Sequence, residues 1–406
     1  MNFKKILITL VFALSLLSIS AYAKTMQFTM GDYDAKVDNG AIEVRTMEVA
    51  PYTVEGRTMV PVRIISEVFG ADVQYIHDEL KVVITLGDKN ISLVIGENKA
   101  NVNGEIVELD VPSVETNGRT LVPLRFVSES LGFDVKYIAA TEQILITNDA
   151  PAISINGSKF YPADVAAVYT MYRSQYGEMY SEADILSAAM VMLSDYALYE
   201  SEANKWGVGY PFESKAEVQA MVTEFSAAYP NHLDAIWANL MEVELRAADL
   251  NDFLYQIYLP DEEAAIEYKN NELKNFLAAK HILVSDEAVA KQLLKDIKAG
   301  ADFDALMAEY SEDPGSQTQP DGYVFTTGEM VKEFEDATKA LKVGEISGIV
   351  ESTYGYHIIK RVDIPLAYAT DAYASEYITK HYTDVIENGN VNLDVYTTEQ
   401  LLELCK

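Results

Sequence analysis

Four pieces of one stretch decide how this chain reads: A-K-H-I-L-V (Ala279–Val284), Y-S-E-D-P-G-S (Tyr310–Ser316), G-E-M-V-K-E-F-E-D-A-T-K-A-L (Gly328–Leu341) and Y-G-Y-H-I-I-K-R (Tyr354–Arg361). Alternation puts Ala279, His281 and Leu283 on one strand face, and His357 and Ile359 on one face of a second strand. Helical spacing of Val289, Leu293 and Ile297 predicts a helix over about 287–299, ended by Gly300. Asp302 is placed to cap the next helix, which is expected to bury Phe303, Leu306, Met307 and Tyr310. Met330 precedes a third helix carrying Phe334, Ala337 and Leu341. Two histidine-bearing strands thus bracket a helical middle in an α+β unit spanning 279–363.

Working outward, Pro162-Ala163-Asp164 suits a helix start. A second helix follows from Glu182 to Trp206-Gly207, with others expected at 214–228, 231–248 and 249–258. Pro260 breaks the pattern, and Asp261 starts a helix to about Phe276. After Asp363 the sequence turns helical again (Asp371–Ile386), with a strand-like piece and a last helix at Thr398–Leu404. The helical segments 150–278 and 364–406 are expected to form one domain, split by the insertion of 279–363. Asn148-Asp149-Ala150-Pro151 marks the boundary before it.

Ahead of that boundary the sequence repeats itself. G-R-T-M-V-P-V-R-I-I-S-E-V-F-G-A-D-V-Q-Y (Gly56–Tyr75) returns as G-R-T-L-V-P-L-R-F-V-S-E-S-L-G-F-D-V-K-Y (Gly118–Tyr137), at an offset of 62. Each repeat reads as strand, turn, V-P-x-R, a short helix ending at Gly, and a closing strand. Arg63, Glu67, Arg125 and Glu129 are expected to make structural ion pairs within each repeat.

Residues 1–23 have the form of a secretory signal: Lys4 and Lys5, an apolar run Ile6–Ile19, and Ala21-Tyr22-Ala23 as the cleavage site. The sole cysteine, Cys405, allows no internal disulfide and lies far from any position for a lipid anchor. An exported product, extracellular or held at the cell envelope without being a lipoprotein and without a membrane span, is expected. The 406 residues carry a formal charge of −32 and are 49% hydrophobic. Real cores are therefore affordable in area, while nucleic acid and anionic lipid are poor partners. No hydrolase or phosphate-cradling motif is present.

With these residues in hand, residues 279–363 resemble a parvulin-type (PpiC) peptidyl-prolyl isomerase. The flanking helices and leader are similar to secreted foldases of the PrsA and SurA kind, in which a helical chaperone domain is interrupted by that module. Residues 24–149 resemble the copper amine oxidase-like N-terminal domain, though no histidine cluster accompanies it and no metal is implied. The resulting fold class is multidomain: an α+β repeat pair, then a mainly helical domain split by an α+β parvulin domain.

What the resemblance implies is isomerisation of X-Pro bonds in unfolded or newly secreted polypeptides, with chaperone activity and no cofactor. The alternatives are an inactive parvulin-fold holdase, or an envelope protein attached by 24–149 to a wall or surface ligand. His281 and His357 match the paired histidines of the family's active-site floor, Asp313 its Asp/Cys position, and Ser352 the supporting hydroxyl. Met330 and Phe334 match the apolar slot for the proline ring. One departure stands out. The family's G-G-D-L-G-x-F reads Gln319-Pro320-Asp321-Gly322-Tyr323-Val324-Phe325, so Gly322 falls where a Leu lines the pocket. Tyr323 or Phe325 then refills the wall, or turnover is reduced.

Overall fold

The computed structural model describes residues 24–211, 214–393 and 395–405, so the signal expected at 1–23 lies outside the described residues. The described chain divides into two compact units. One holds the residues up to Asp252 together with those from Tyr382 onward, and the other runs Phe253–His381.

In the first unit, the two R-T-x-V-P segments become neighbouring antiparallel strands, Arg57–Pro61 and Arg119–Pro123, in the register Leu121↔Pro61, Val122↔Val60, Pro123↔Met59. Val60 and Val122 are equivalent in the repeat, so the pairing is symmetric about them and the repeats are related by a pseudo-two-fold axis. Tyr52–Val54 and Val114–Thr116 flank the pair to complete a four-stranded sheet. Each central strand runs through Pro into a helix, Val62–Val68 or Leu124–Leu131, with the proline ring holding φ near the helical value. Gly132, at φ 80°, closes the second helix in the left-handed region.

The repeats also exchange strands. The opening strand Thr25–Thr29 pairs with the closing strand of the second repeat, Gln143–Thr147. Lys89–Val94, which opens the second repeat, pairs with Lys81–Leu86, which closes the first. Each exchange sits in a five-stranded antiparallel sheet, and both sheets pack on one core around Phe28, Ile65, Ile84, Val127 and Ile144. The repeats therefore share a core instead of forming two beads. Of the ion pairs expected within each repeat, Arg63–Glu67 forms at 3.3 Å, whereas Arg125–Glu129 is not formed among the described residues. Instead, Arg57 reaches Asp110 (2.5 Å) and Arg119 reaches Glu48, each joining one repeat to the other.

The strands Ile153–Ile155 and Ser158–Phe160 turn at Asn156-Gly157 and lead into helices Pro162–Tyr176, Glu182–Trp206, Lys215–Ala228 and Asp234–Tyr258. Asp164 accepts the Tyr161 N–H at 2.7 Å to start the first of these. The stretch expected as two helices, 231–248 and 249–258, is one helix, because Ala247-Ala248-Asp249-Leu250 contains no breaker. Near the C-terminus, Val391–Asn392 adds to the edge of Ile153–Ile155. These strands and helices dock on the repeats through Lys36–Asp234 (2.5 Å), Lys159–Asp134 (2.8 Å) and Lys215–Glu142 (2.6 Å). Residues 24–149 accordingly share a compact unit with the helices that follow.

This unit buries carboxylates. Burial pushes Asp149, Asp164 and Asp195 up to about 6. An Asp with a folded pKa above its unfolded value of about 3.9 destabilises the fold while ionised, and that penalty is relieved as pH falls from above 6 toward 4. Asp195 has burial as the only cause of its shift. Asp195→Asn is expected to stabilise the unit by about 1–2 kcal/mol at pH 7.5, after allowance for solvent screening, and by nothing at pH 4. Thermal unfolding at both pH values, followed by tryptophan fluorescence, checks this.

The second unit is built on a four-stranded antiparallel sheet in the order Tyr323–Phe325, Leu277–Val284, Gly355–Val362, Ile346–Ser352. Helices Glu287–Lys298 and Phe303–Tyr310 cover one face, where Leu293, Phe303 and Met307 pack on Ile282, Val284 and Ile358. Helix Lys332–Ala340 covers the other, with Phe334 against Ala279, Phe325 and Ile359. The strands are more numerous than the two read from the sequence, because Tyr323–Phe325 and Ile346–Ser352 are short or interrupted by a register shift and show little alternation.

Two apolar residues expected in this core are exposed. Ala290, not Val289, faces the sheet with Leu293, and Tyr310 at the helix end turns to solvent. The helix begun at Asp261 stops at Asn271, not Phe276, freeing Leu277 to enter the sheet. The unit extends beyond 279–363 because its flanking helices hold each other. Tyr268 donates to Glu376 at 2.8 Å, Tyr255 to Asp371 at 2.5 Å, and the Tyr268 and Tyr373 rings meet edge to face at 5.4 Å.

Candidate active site

The pairing of the two central strands sets His281 opposite Ile359 and His357 opposite Leu283. Partners across an antiparallel ladder share a face, so both imidazoles emerge on the side covered by Phe334. The rings are 5.3 Å apart, edge to face. Phe334 contacts both, at 5.1 Å from His281 and 5.7 Å from His357. Both histidines are buried.

Asp313 reaches this pair through the Y-S-E-D-P-G-S tract. The short strand Tyr323–Phe325 covers its neighbour only from Leu277 to Ala279, leaving a free edge at Leu283. There the tract docks: Glu312 N–H donates to Leu283 C=O (2.8 Å), and Leu283 N–H donates to Ser311 Oγ (3.2 Å). This delivers Asp313 Oδ2 to three donors, Tyr323 O–H at 2.6 Å, His281 Nε2 at 3.0 Å and Ser316 Oγ at 3.3 Å. On the far side, Ser352 Oγ lies 2.7 Å from His357 Nε2 and accepts the Tyr354 N–H at 3.1 Å.

These contacts set the protons. Burial pulls the Asp313 pKa up, but the hydrogen bonds from Tyr323 and His281 outweigh it and hold the group below the ordinary carboxylate value. Burial pushes His281 down against the pull of Asp313. Burial, with His281 alongside, pushes His357 to about 4. At neutral pH the site therefore holds an ionised Asp313 and two neutral imidazoles, and the His281–Asp313 contact is a charge-assisted hydrogen bond instead of an ion pair. His281 must carry its proton on Nε2 to donate to Asp313, which leaves Nδ1 bare. Ser352 Oγ accepts from Tyr354 N–H and pairs with His357 Nε2. Both Nδ1 atoms are buried without a partner.

The expected pocket residues divide. Met330 is half-buried beside Phe334. Phe325 is only 1% exposed and packs under Phe334 at 5.8 Å, so it supports the site from beneath and presents no wall. Tyr323 contributes its hydroxyl to Asp313 and its ring to His281 at 5.6 Å. Gly322 cannot take the place of a leucine. At φ +99° a Cβ there would sit 2.7 Å from Ala279 C=O, so the strand backbone occupies the space. Ser316, buried and bonded to Asp313, was not singled out from the sequence although it lies in the quoted tract; the signal was a Ser three residues after the Asp.

Gly315 adds a further constraint, since a Cβ there would run into the Tyr323 hydroxyl. Gly315→Ala is expected to displace that hydroxyl and reproduce Tyr323→Phe. Each should raise the Asp313 pKa, because a donor to the carboxylate is lost. Carboxyl titration by NMR checks both, and an unmoved Asp313 in Tyr323→Phe would contradict the assignment.

Residues 280–363 match the model of the PPIC-type PPIase domain. Residues 16–82 and 36–146, in overlapping spans, match that of the copper amine oxidase N-terminal domain. The chain is 50% identical over 98 residues to foldase protein PrsA of Geobacillus kaustophilus, covering 24% of this chain and 34% of that protein. It is 33% identical over 193 residues to foldase protein PrsA 3 of Bacillus cereus, covering 47% and 62%. The chain thus spans only part of the length of the curated relatives it matches. Among solved structures, PrsA from Bacillus subtilis aligns at 22% identity and TM-score 0.28, over 58% of this chain and 85% of that one. The parvulin of Nitrosopumilus maritimus aligns at 44% identity and TM-score 0.20, over 22% and 96%. No helix among the described residues is long and apolar enough to cross a membrane. Residues 280–363 thus carry PPIC-type PPIase domain sequence, and residues 16–146 carry copper amine oxidase N-terminal domain sequence.

Proposed function

We propose that the chain is an extracytoplasmic foldase, which isomerises X-Pro bonds in secreted polypeptides and holds those clients on its helical segments. The reading rests chiefly on one observation: an ionised Asp313 and two neutral, buried histidines lie on one sheet face beside Phe334, within a span that matches the PPIC-type model along its length. Met330 lines the slot for the proline ring, and Phe334, 2% exposed, lies at its floor. Helical segments 150–278 and 364–406 make the client-holding domain, interrupted by 279–363. The strand Val391–Asn392 returning to Ile153–Ile155 joins the outer ends of those segments, while 253–278 and 364–381 lie in the compact unit of the inserted module. The chain acts outside the cytoplasm, at the envelope or free of it, and residues 24–149 attach it to a surface ligand.

The chemistry needs no bond broken. A planar X-Pro amide resists rotation by about 18–20 kcal/mol because its nitrogen lone pair is delocalised onto the carbonyl oxygen. An anionic carboxylate facing that oxygen opposes the resonance form that puts negative charge there. It disfavours the planar ground state relative to the twisted amide, in which conjugation is gone. Asp313 does this while Tyr323, His281 and Ser316 hold it in place. The neutral histidines keep a second charge out of the floor.

Refolding of a protein limited by a slow X-Pro step, with the full chain added in catalytic amounts, tests the reading. Acceleration of the slow phase is expected. Suppressed aggregation with an unchanged slow phase would select the holdase, which Gly322 in place of a wall leucine favours.

A further inference from the structure

The two repeats form two related grooves, and the grooves differ in charge. The first, with a volume of about 640 Å³, is lined by Pro61, Arg63, Ile64 and Glu67 of one repeat and by Arg119 of the other. The second, about 320 Å³, is lined by Pro123, Arg125, Phe126 and Glu129, and by Arg57. Every one of these residues is the other's mate at the offset of 62. The carboxylates that fix the crossing arginines are also mates: Glu48 holds Arg119, and Asp110 holds Arg57. These shared residues are what the pseudo-symmetric fold requires.

What is not shared points to a ligand. The first groove adds Arg45 and Lys24, whereas the position equivalent to Arg45 is Val107, and the one equivalent to Thr46 is Glu108. The first groove therefore gathers four cations against Glu48 and Glu67 in its lining, with Glu43 paired to Arg45 from outside it. The second has two cations against Glu108, Asp110 and Glu129. A structural need would have placed the same charges in both. Arg45, Arg63 and Arg119 are about half-exposed. Each contacts its carboxylate through one nitrogen, and Arg119 also donates Nη1 to Gly118 C=O, so each fork keeps further N–H donors for another acceptor. A cationic groove on a chain of net charge −32 is unusual, because the surrounding field repels polyanions and only local contacts can hold one.

We propose that this first groove binds a polymer bearing closely spaced anionic oxygens, phosphodiester or carboxylate. A volume of about 640 Å³ is larger than a small free anion fills, and the arginines can donate paired N–H groups to either kind of oxygen. The assignment concerns binding itself, and stands apart from whether these residues attach the protein to a surface.

Isothermal titration of the full chain with inorganic polyphosphate, polygalacturonate and neutral dextran at 0.15 M salt tests it. Binding of at least one polyanion and not dextran is expected, and the preferred polyanion separates the phosphate from the carboxylate source. Arg45→Val, which installs the residue of the second groove, is expected to weaken binding at least tenfold while leaving thermal stability unchanged. Arg125→Gln in the second groove should leave the affinity as it was. Absence of binding to both polyanions, an unaltered affinity in Arg45→Val, or an equal loss in Arg125→Gln would each overturn the proposal.

Discussion

Asp313→Ala is expected to lower kcat/KM for X-Pro isomerisation by about 10²-fold, on the scale seen when one preorganised electrostatic group is removed from a site. The loss has two parts. The negative charge that opposes ground-state conjugation disappears, and three donors, His281 Nε2, Tyr323 O–H and Ser316 O–H, lose their common acceptor. Asp313→Asn separates them, since it keeps an acceptor oxygen but no charge. If the charge carries the effect, the Asn variant should resemble Ala in rate while remaining near wild type in stability. Activity close to wild type in both variants would remove Asp313 from the mechanism.

The pH profile gives a second handle on the same group. Asp313 titrates below the ordinary carboxylate value and His357 at about 4, so the ionised-Asp, neutral-His state persists through neutral pH. Activity should be level from about pH 7 to 8 and hold further into acid than ordinary imidazoles would allow, because burial also lowers His281. It should fall only as acid protonates the site. Protease-free kinetics with a proline peptide across that range would show it.

Phe334→Ala is expected to destabilise the unit Phe253–His381 by about 3–5 kcal/mol, the range for deleting a buried aromatic ring. Phe334 is 2% exposed and touches His281, His357 and Phe325. Its loss opens a cavity beneath both imidazoles and lets water reach their unpartnered Nδ1 atoms. Phe334→Leu refills most of the volume and should recover most of the stability, but less of the activity. Hydrogen exchange resolved by segment is the suitable measurement. Both tryptophans, Trp206 and Trp237, lie in the other unit, so their fluorescence would not report this loss. Protection unchanged over 277–284 and 355–362 in Phe334→Ala would contradict the packing described.

The histidines add to that unit's acid sensitivity. Their folded pKa values lie below the unfolded value of about 6.5, so the stability they leave intact at neutral pH is lost as pH falls below it. The buried aspartates of the first unit work in the opposite sense over roughly the same range. Acidification should therefore loosen Phe253–His381 while relieving strain on the residues up to Asp252.

Much of the candidate site was legible because its information is local. His281 and His357 could be placed on strands by alternation, Asp302 as a cap by its position before Phe303, and the Gly56 and Gly118 repeats by direct comparison. The cap forms at 2.7 Å to Ala305 N–H. Helix Glu182–Trp206 runs between the ends expected for it. Val289 and Tyr310 misled because an apolar residue one position off a helical stripe still fits the period. Phe325 was read as a wall because spacing cannot distinguish a residue beside a ligand from one beneath it.

The amino-acid sequence by itself determined the local elements, the duplication and the identity of the chemical groups, since propensity, capping and strand alternation act over a few residues. Tertiary structure decided which distant partners meet. Thr25–Thr29 found the closing strand of the other repeat, Arg57 and Arg119 crossed between repeats, and the Ser311–Glu312 backbone took the free strand edge at Leu283. It also decided that Tyr323 is a hydrogen-bond donor and that Gly322 has no room for a side chain. The physical reason is that backbone donors and apolar faces are generic: a strand edge accepts any strand of matching pattern, and only the packing of the whole chain selects one.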